Sequence, residues 1–164
     1  MKTIKKISLS ALFAAIITVF TAYICHFPLL PNGGYVHLGD TFIYIAASLL
    51  PAPYAIGAAV VGAGLADLLT APVWALASVI IKALICLTFT NKKIICKRNI
   101  IACVVGVFVT VIGYAVAEYI IFGSLAGIVY SLIGNLVQST TSAVLFIILG
   151  FYLEKSKIKH IIKL

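Results

Sequence analysis

Four charged side chains lie within or at the edge of long apolar segments, where an ionisable group is costly. Three are acids, each at or near the end of a different segment: Asp40, Asp67 and Glu118. The fourth, Lys82, lies near the middle of a segment. Ionisable groups in such segments usually face a cavity or a charged partner. The acids therefore predict a polar site, and Lys82 either pairs with an acid or extends towards the cytoplasmic surface.

Each acid also has a purely structural interpretation. Asp40 follows Leu-Gly and precedes an apolar run, so it is equally compatible with the N-cap of a helix. Asp67 and Glu118 are compatible with interfacial charges that stay in water. Their convergence on one side of the membrane from separate segments nevertheless favours a binding site.

Polar side chains at helical spacing extend this pattern. The last segment carries a stripe at i, i+4, i+7 and i+11, formed by Ser131, Asn135, Gln138 and Ser142, and the preceding segment carries Thr110, Tyr114 and Glu118. Such groups also form hydrogen bonds between helices, which is the interpretation we favour for the two serines. The two amides, Asn135 and Gln138, favour a lined cavity.

The composition predicts a membrane protein. The chain has 164 residues, of which 63% are hydrophobic and 10% charged, with a mean hydropathy of +1.22. A soluble domain carries about 25% charged residues. We therefore expect an all-α integral membrane protein whose residues 1–164 form a single transmembrane domain.

The apolar runs predict six transmembrane helices, because about 20 apolar residues cross a hydrocarbon core of roughly 30 Å. They lie at about 7–25, 39–50, 54–69, 73–90, 100–122 and 125–153. The second segment is short for a full crossing, and a re-entrant hairpin built from the second and third segments is the alternative. A polar loop, 26–39, connects the first two segments, and its glycine pair at 33–34 allows a tight external turn.

Charge patterning orients these segments. The net charge is +8, and eleven of the twelve basic residues lie in three patches, at 2–6, 92–98 and 155–163. With six crossings all three patches fall on one side, which predicts cytoplasmic N- and C-termini in a multi-pass protein of the cell membrane. We expect no nucleic-acid partner, because no basic face with interleaved aromatic residues accompanies the patches.

No catalytic motif is evident. The sequence has no GxxxxGK[ST] phosphate loop, no HExxH and no GxSxG. The four cysteines lack the spacing of a metal site and are expected to behave as small hydrophobic residues. We therefore expect a non-enzymatic transport subunit without its own ATPase motif, with no catalytic residue, no cofactor and no metal.

Several motifs in order resemble a known family. These are "HLGD" at 37–40, "ADLL" at 66–69, "IIK" at 80–82 and "GNLVQ" at 134–138. Together they are similar to the substrate-binding S components of energy-coupling factor (ECF) vitamin transporters, nearest the pyridoxine, hydroxymethylpyrimidine and riboflavin types. The similarity extends over nearly the whole chain.

The resemblance implies a function and partners. Such proteins bind a vitamin from outside in a pocket covered by the loop between the first two helices. They then associate with a transmembrane T component and two cytoplasmic ATPase subunits, which supply the energy for uptake. Ala11 and Ala15 match the AxxxA surface on which the family docks the T component. The competing hypothesis is a stand-alone secondary transporter or facilitator for a vitamin-like solute.

We therefore expect eight residues to form a substrate site. His37 and Asp40 are expected to polarise the pocket mouth, and Tyr35 or Trp74 to stack on the ligand ring. The remaining four are expected to form hydrogen bonds with ligand hydroxyls or ring nitrogens: Asp67, Glu118, Asn135 and Gln138.

Overall fold

A computed structural model describes residues 3–24, 26–28 and 35–162 of the chain. Its helices are α1 (Thr3–Ala22), α2 (Gly39–Leu49), α3 (Ala52–Thr70), α4 (Ala75–Thr88), α5 (Lys97–Phe122), α6 (Leu125–Lys155) and α7 (Ile158–Ile161). A 3-10 turn, Pro72–Trp74, leads into α4. Two short antiparallel strands, β1 (Phe27–Pro28) and β2 (Tyr35–Val36), lie in the predicted polar loop. The predicted glycine turn at 33–34 and Cys25 lie outside the described residues.

The predicted segments correspond one to one with α1 to α6, and the protein is all-α apart from the two-residue strands. Within the described part of the chain, four helices are long and apolar enough to cross a membrane: α1, α3, α5 and α6. The 3-10 turn and α4 together form a shorter apolar helix, Pro72–Thr88. Helix α2 has 11 residues, so it is only about 16 Å long.

Helices α1 and α3 pack closely and run parallel. The Ser10 hydroxyl donates to the Tyr54 carbonyl at 2.7 Å, and the Thr18 hydroxyl donates to the Gly62 carbonyl at 3.0 Å, so both contacts join residues 44 apart. A Cβ atom on Gly62 would lie 2.8 Å from the Ala14 carbonyl oxygen, which shows how closely the backbones approach. Because α1 and α3 are parallel, α2 must return the chain from the end of α1 to the start of α3.

Helix α2 lies at the centre of the bundle, with nearly every residue buried. The Tyr44 ring packs between Phe89 and Phe146, with ring centroids 5.3 Å and 6.0 Å away. The buried residues of α2 include the polar side chains Asp40, Thr41 and Ser48, so their polar groups must find partners inside the bundle. Pro51 then ends the segment and starts α3, because its fixed φ suits a helix N-terminus.

The outer surface of the bundle is strongly apolar. Large side chains on α5 and α6 are more than half exposed, among them Phe108, Ile112, Ile133 and Val137. A soluble protein would place such side chains in its core, whereas lipid is a suitable solvent for them. The exposed apolar belt therefore supports a membrane location.

Candidate functional site

A cavity opens at the end of the bundle where α3 and α5 end and α6 begins. Segments from α3, the 3-10 turn, α4, α5, α6 and the β2 strand line it. The lining residues are Tyr35, His37, Asp67, Trp74, Ser78, Tyr114, Glu118, Tyr130, Ser131, Gly134, Asn135 and Gln138. Seven of the eight predicted substrate residues are thus brought together, and Asp40 is the exception.

The cavity is narrow in this conformation. Its total volume, including the open mouth, is about 490 Å³, but the centre of a water molecule can reach only about 40 Å³ of it. The smaller value measures the usable room, and it suffices for a few water molecules. A heteroaromatic ligand therefore needs side chains to move before it can enter.

The two carboxyl groups of the cavity come from different helices. Asp67 is 4% exposed and Glu118 is fully buried. The Tyr35 hydroxyl donates a short hydrogen bond to Asp67 Oδ1 and accepts one from Thr70 at 3.4 Å. This bond holds the loop before α2 against the end of α3, so it closes one side of the cavity.

The His37 side chain lines the cavity as a neutral ring. The Gly39 backbone N–H donates to His37 Nδ1 at 3.0 Å, and a ring nitrogen that accepts a hydrogen bond carries no proton. The proton of the neutral ring therefore lies on Nε2, which makes that atom a hydrogen-bond donor. A Cβ atom on Gly39 would overlap the Thr21 hydroxyl, so glycine is required for this tight loop.

Gln138 joins the cavity to a buried ion pair. Its Oε1 accepts from the His37 backbone N–H at 3.2 Å, and its Nε2 donates to Asp40 Oδ2 at 3.1 Å. Lys82 Nζ lies 2.7 Å from Asp40 Oδ1, and both side chains are buried. Lys82 Nζ also lies 5.2 Å from the centre of the Tyr114 ring. The loop, α2, α4, α5 and α6 are thus connected through one polar network.

These contacts settle two alternatives that the sequence left open. Lys82 pairs with an acid and does not extend to the surface. Asp40 lies in the first turn of α2 but makes no side-chain cap, since Leu38 occupies the N-cap position. It lies behind Gln138, and any direct contact between Asp40 and a ligand stays a prediction.

Aromatic side chains form the remaining walls. The Trp74 ring packs edge-on against Tyr114 at 6.1 Å and tilted against Phe122 at 5.7 Å. The Tyr114 hydroxyl forms a hydrogen bond with the Ser78 hydroxyl at 2.5 Å. Trp74 Nε1 is buried and has no hydrogen-bond partner among the described residues, which is unusual for an indole N–H. A ligand acceptor at this position would satisfy it.

Five lining residues were not predicted as site residues. Ser78, Tyr114 and Tyr130 add hydroxyls, and Gly134 adds backbone surface. Ser131 was expected only to link helices, yet it lines the cavity and accepts a 3.2 Å hydrogen bond from Asn135 Nδ2. Tyr114 already belonged to the polar stripe with Glu118, one helical turn away on the same face, and that stripe was the signal for assigning it to the site.

The two predicted docking residues lie elsewhere, on α1. Ala11 and Ala15 are exposed, whereas Ala14 and Ile17 are buried and face the rest of the bundle. The small residues of α1 therefore lie on two faces of the helix. The inner face packs on α3, and the outer face is exposed.

Comparisons with known proteins define the class first. A solved structure of the S component of a bacterial ECF transporter superposes with a TM-score of 0.74 at 23% identity, covering 93% of this chain and 96% of that one. This likeness establishes the fold, which is that of the S component of an ECF transporter. An uncharacterized protein in the gap 3' region of Pyrococcus woesei is 29% identical over 138 residues, which is 82% of this chain and 93% of that protein.

The family follows from the sequence itself. A family-level sequence model described as "ECF-type riboflavin transporter, S component" matches residues 1–155. The chain therefore belongs to the family of riboflavin-type S components of ECF transporters. It is a transport component of the membrane rather than an enzyme, and the resemblance seen in its motifs is confirmed.

Proposed function

We propose that this chain is the substrate-specific subunit of an ATP-driven uptake system and binds a small heteroaromatic vitamin or vitamin precursor from outside. The observation that carries the proposal is the cavity, where four aromatic rings surround two carboxyl and two amide groups. Rings suit stacking on a heteroaromatic ligand, and the carboxyl and amide groups suit its hydroxyl and N–H groups. Riboflavin is the first candidate, with pyridoxine and hydroxymethylpyrimidine as the other members of the class.

The charge of the cavity favours a ligand without a phosphate group. Asp67 and Glu118 line it, whereas no lysine or arginine among the described residues does, and the His37 ring is neutral. A phosphate would lose its hydration and find two acids instead of a basic partner. We therefore propose that the protein selects the free vitamin over its phosphate ester.

The site faces the outside if the chain crosses the membrane six times. The cavity lies at the start of α6, while the basic patches lie at the start of α5 and the end of α6. Helix α2 would provide the second crossing, since it returns the chain between the parallel helices α1 and α3. The positive-inside rule then assigns both termini to the cytoplasm and the cavity to the opposite side.

We propose that ligand entry displaces the Tyr35 side chain. The Tyr35 ring stacks on His26 with centroids 4.0 Å apart, and its hydroxyl reaches across to Asp67. We propose that the ligand replaces Tyr35 as the partner of Asp67 and that the Tyr35 ring then covers the ligand. His37 Nε2 and Trp74 Nε1 would donate to acceptor atoms of the ring.

Small residues on the outer face of α1 suit a surface on which a partner protein docks. Ala11 and Ala15 lie one turn apart on α1, and with Ile4, Ser8 and Val19 they form an exposed stripe. In lipid, a stripe with small residues at its centre lets a second helix approach closely. We propose that a transmembrane T component docks here and that two cytoplasmic ATPases drive release of the ligand inside.

Neutral substitutions in the cavity test the site. Asp67→Asn and Glu118→Gln should each weaken binding of riboflavin by about 10- to 100-fold, because a hydrogen bond to a charged group contributes about 1.5–3 kcal/mol. Gln138→Ala should weaken it by about 2- to 10-fold, because a hydrogen bond to a neutral amide contributes about 0.5–1.5 kcal/mol. Titration of purified protein in detergent measures this, with pyridoxine and hydroxymethylpyrimidine as parallel probes.

Tyr119→Phe is the matched control for these variants. Tyr119 lies beside Glu118 in the chain but is 58% exposed on the outer face of α5, so its loss should leave affinity unchanged. If all three cavity variants fold and bind every probe as the unmodified protein does, the cavity is not the substrate site.

A further inference from the structure

A second cleft lies at the opposite end of the bundle from the cavity. Asn135 in the cavity and Glu154 in the cleft are both on α6, 19 residues and therefore about 28 Å apart. The cleft lies between the residues after α4 and the end of α6 with α7. It is lined by Lys92, Ile94, Leu153, Glu154, Lys157, Ile158, Lys159 and His160.

The cleft is roomy compared with the substrate cavity. The centre of a water molecule can reach about 540 Å³ of it, more than ten times the corresponding room in the cavity. Asn99 keeps one wall in place, because its side-chain amide donates to the carbonyls of Thr90, Lys93 and Ile94. The space is therefore framed by an ordered loop rather than by side chains alone.

Positive charge in the cleft exceeds the negative charge available to it. Three lysines and a histidine line it, with Glu154 as the one acid among the lining residues. One oxygen of Glu154 already accepts the Ile94 backbone N–H at 2.9 Å. Lys159 Nζ donates to the Asn91 carbonyl at 2.6 Å, and the burial of Lys159 lowers the pKa of its ammonium group. A bound anion would relieve this excess.

The backbone between α6 and α7 has an energetically unfavourable conformation at Lys157. Lys157 has φ 54° and ψ 36°, which is the left-handed conformation that favours glycine. A lysine here costs about 1–2 kcal/mol relative to the ordinary helical conformation. The bend ends α6 and turns α7 back over Asn91, so the strained residue is also one that lines the cleft.

An exposed tyrosine places the cleft near the depth of lipid headgroups in the proposed six-crossing arrangement. Tyr152, which lies just before the cleft on α6, is 63% exposed, and tyrosine is enriched at the membrane interface. Ile94, Leu153 and Ile158 add apolar surface beside the basic groups. The combination suits a molecule with a phosphate at one end and hydrocarbon at the other.

We propose that this cleft binds the headgroup of an anionic phospholipid, with its lysines around the phosphate and its apolar residues against the glycerol and upper acyl chain. The site is independent of the substrate cavity. It would hold the strained end of α6 at the cytoplasmic surface of the bilayer.

The test uses the full-length protein with Lys92→Gln and Lys159→Gln combined. Retention of phosphatidylglycerol is measured by native mass spectrometry of protein released from nanodiscs with 30% phosphatidylglycerol in phosphatidylcholine. Each lysine contributes about 5-fold to anionic-lipid affinity, so the double variant should bind about 25-fold more weakly. Lys5→Gln with Lys6→Gln is the matched control, since it removes two charges from the same side but outside the cleft.

Each outcome has a defined meaning. Loss of phosphatidylglycerol in the cleft variant alone, with unchanged thermal unfolding, supports the proposal. Equal loss in both variants would show a general electrostatic attraction and overturn it. Competition by inorganic phosphate as strong as by phosphatidylglycerol would identify a free-anion site instead. Normal lipid retention with loss of co-purifying ATPase subunits would make the cleft a protein-docking surface, and it too would overturn the proposal.

Discussion

Replacing Lys82 by methionine should destabilise the protein by about 3–5 kcal/mol, because the change leaves Asp40 buried without its charge partner. Asp40 is fully buried and its other oxygen is already used by Gln138. The carboxyl group must then stay charged without compensation or take up a proton, and both cost free energy. Thermal or denaturant unfolding of the purified protein in detergent measures the loss.

A second substitution should restore much of the stability that Lys82→Met loses. In Asp40→Asn with Lys82→Met the charge is gone, and the asparagine can still accept from Gln138 Nε2, so stability should recover by several kcal/mol relative to Lys82→Met alone. Lys97→Met is the matched control, since Lys97 is exposed in the first turn of α5. A loss below about 1 kcal/mol in Lys82→Met, or no recovery in the double variant, would show that the ion pair contributes little to this fold.

Tryptophan at Ala11 or Ala15 should abolish uptake of the vitamin while leaving its binding unchanged. Both residues are exposed on α1, and neither of them lines the cavity. A large side chain there would hold a partner helix away, whereas the inner face of α1, which packs on α3, is untouched. Uptake of radiolabelled ligand into proteoliposomes with the T component and ATPases measures the first effect, and titration of the isolated subunit the second.

Val144→Trp is the matched control for the two alanine variants. Val144 is 51% exposed on α6, so the substitution adds the same bulk to a different outer face and should leave uptake intact. Loss of binding in the alanine variants would contradict the docking role. Uptake by the chain alone, driven by a proton or sodium gradient, would instead favour a stand-alone transporter.

The helices were predictable because a helix in lipid requires a simple sequence pattern. Runs of about 20 apolar residues follow from the need to satisfy backbone groups inside a hydrocarbon layer, and each predicted run corresponds to a helix. The boundaries agree to within a few residues. The largest difference is at α1, which runs from Thr3 to Ala22 rather than from about residue 7 to residue 25. Helix α5 begins at Lys97 rather than near residue 100, and Asn99 in its first turn forms hydrogen bonds back to the preceding loop.

The sequence pointed to seven of the residues that line the cavity, but not to the contacts between them. Polar residues in apolar segments are costly and therefore conspicuous, which is why seven of the eight predicted substrate residues line one cavity. No spacing rule, however, relates Asp40 on α2 to Lys82 on α4, or Ser78 on α4 to Tyr114 on α5. These pairs depend on how helices distant in sequence pack, which the sequence pattern does not contain.

Mass spectrometry of the small molecules released from protein purified in mild detergent addresses the proposed function itself. We expect about one heteroaromatic vitamin or precursor per chain, without a phosphate group, and far less of it from Asp67→Asn with Glu118→Gln. The two carboxyl groups and the aromatic walls of the cavity are the reason for both expectations. A phosphorylated ligand, the absence of any heteroaromatic ligand, or equal amounts from protein and variant would contradict the proposal.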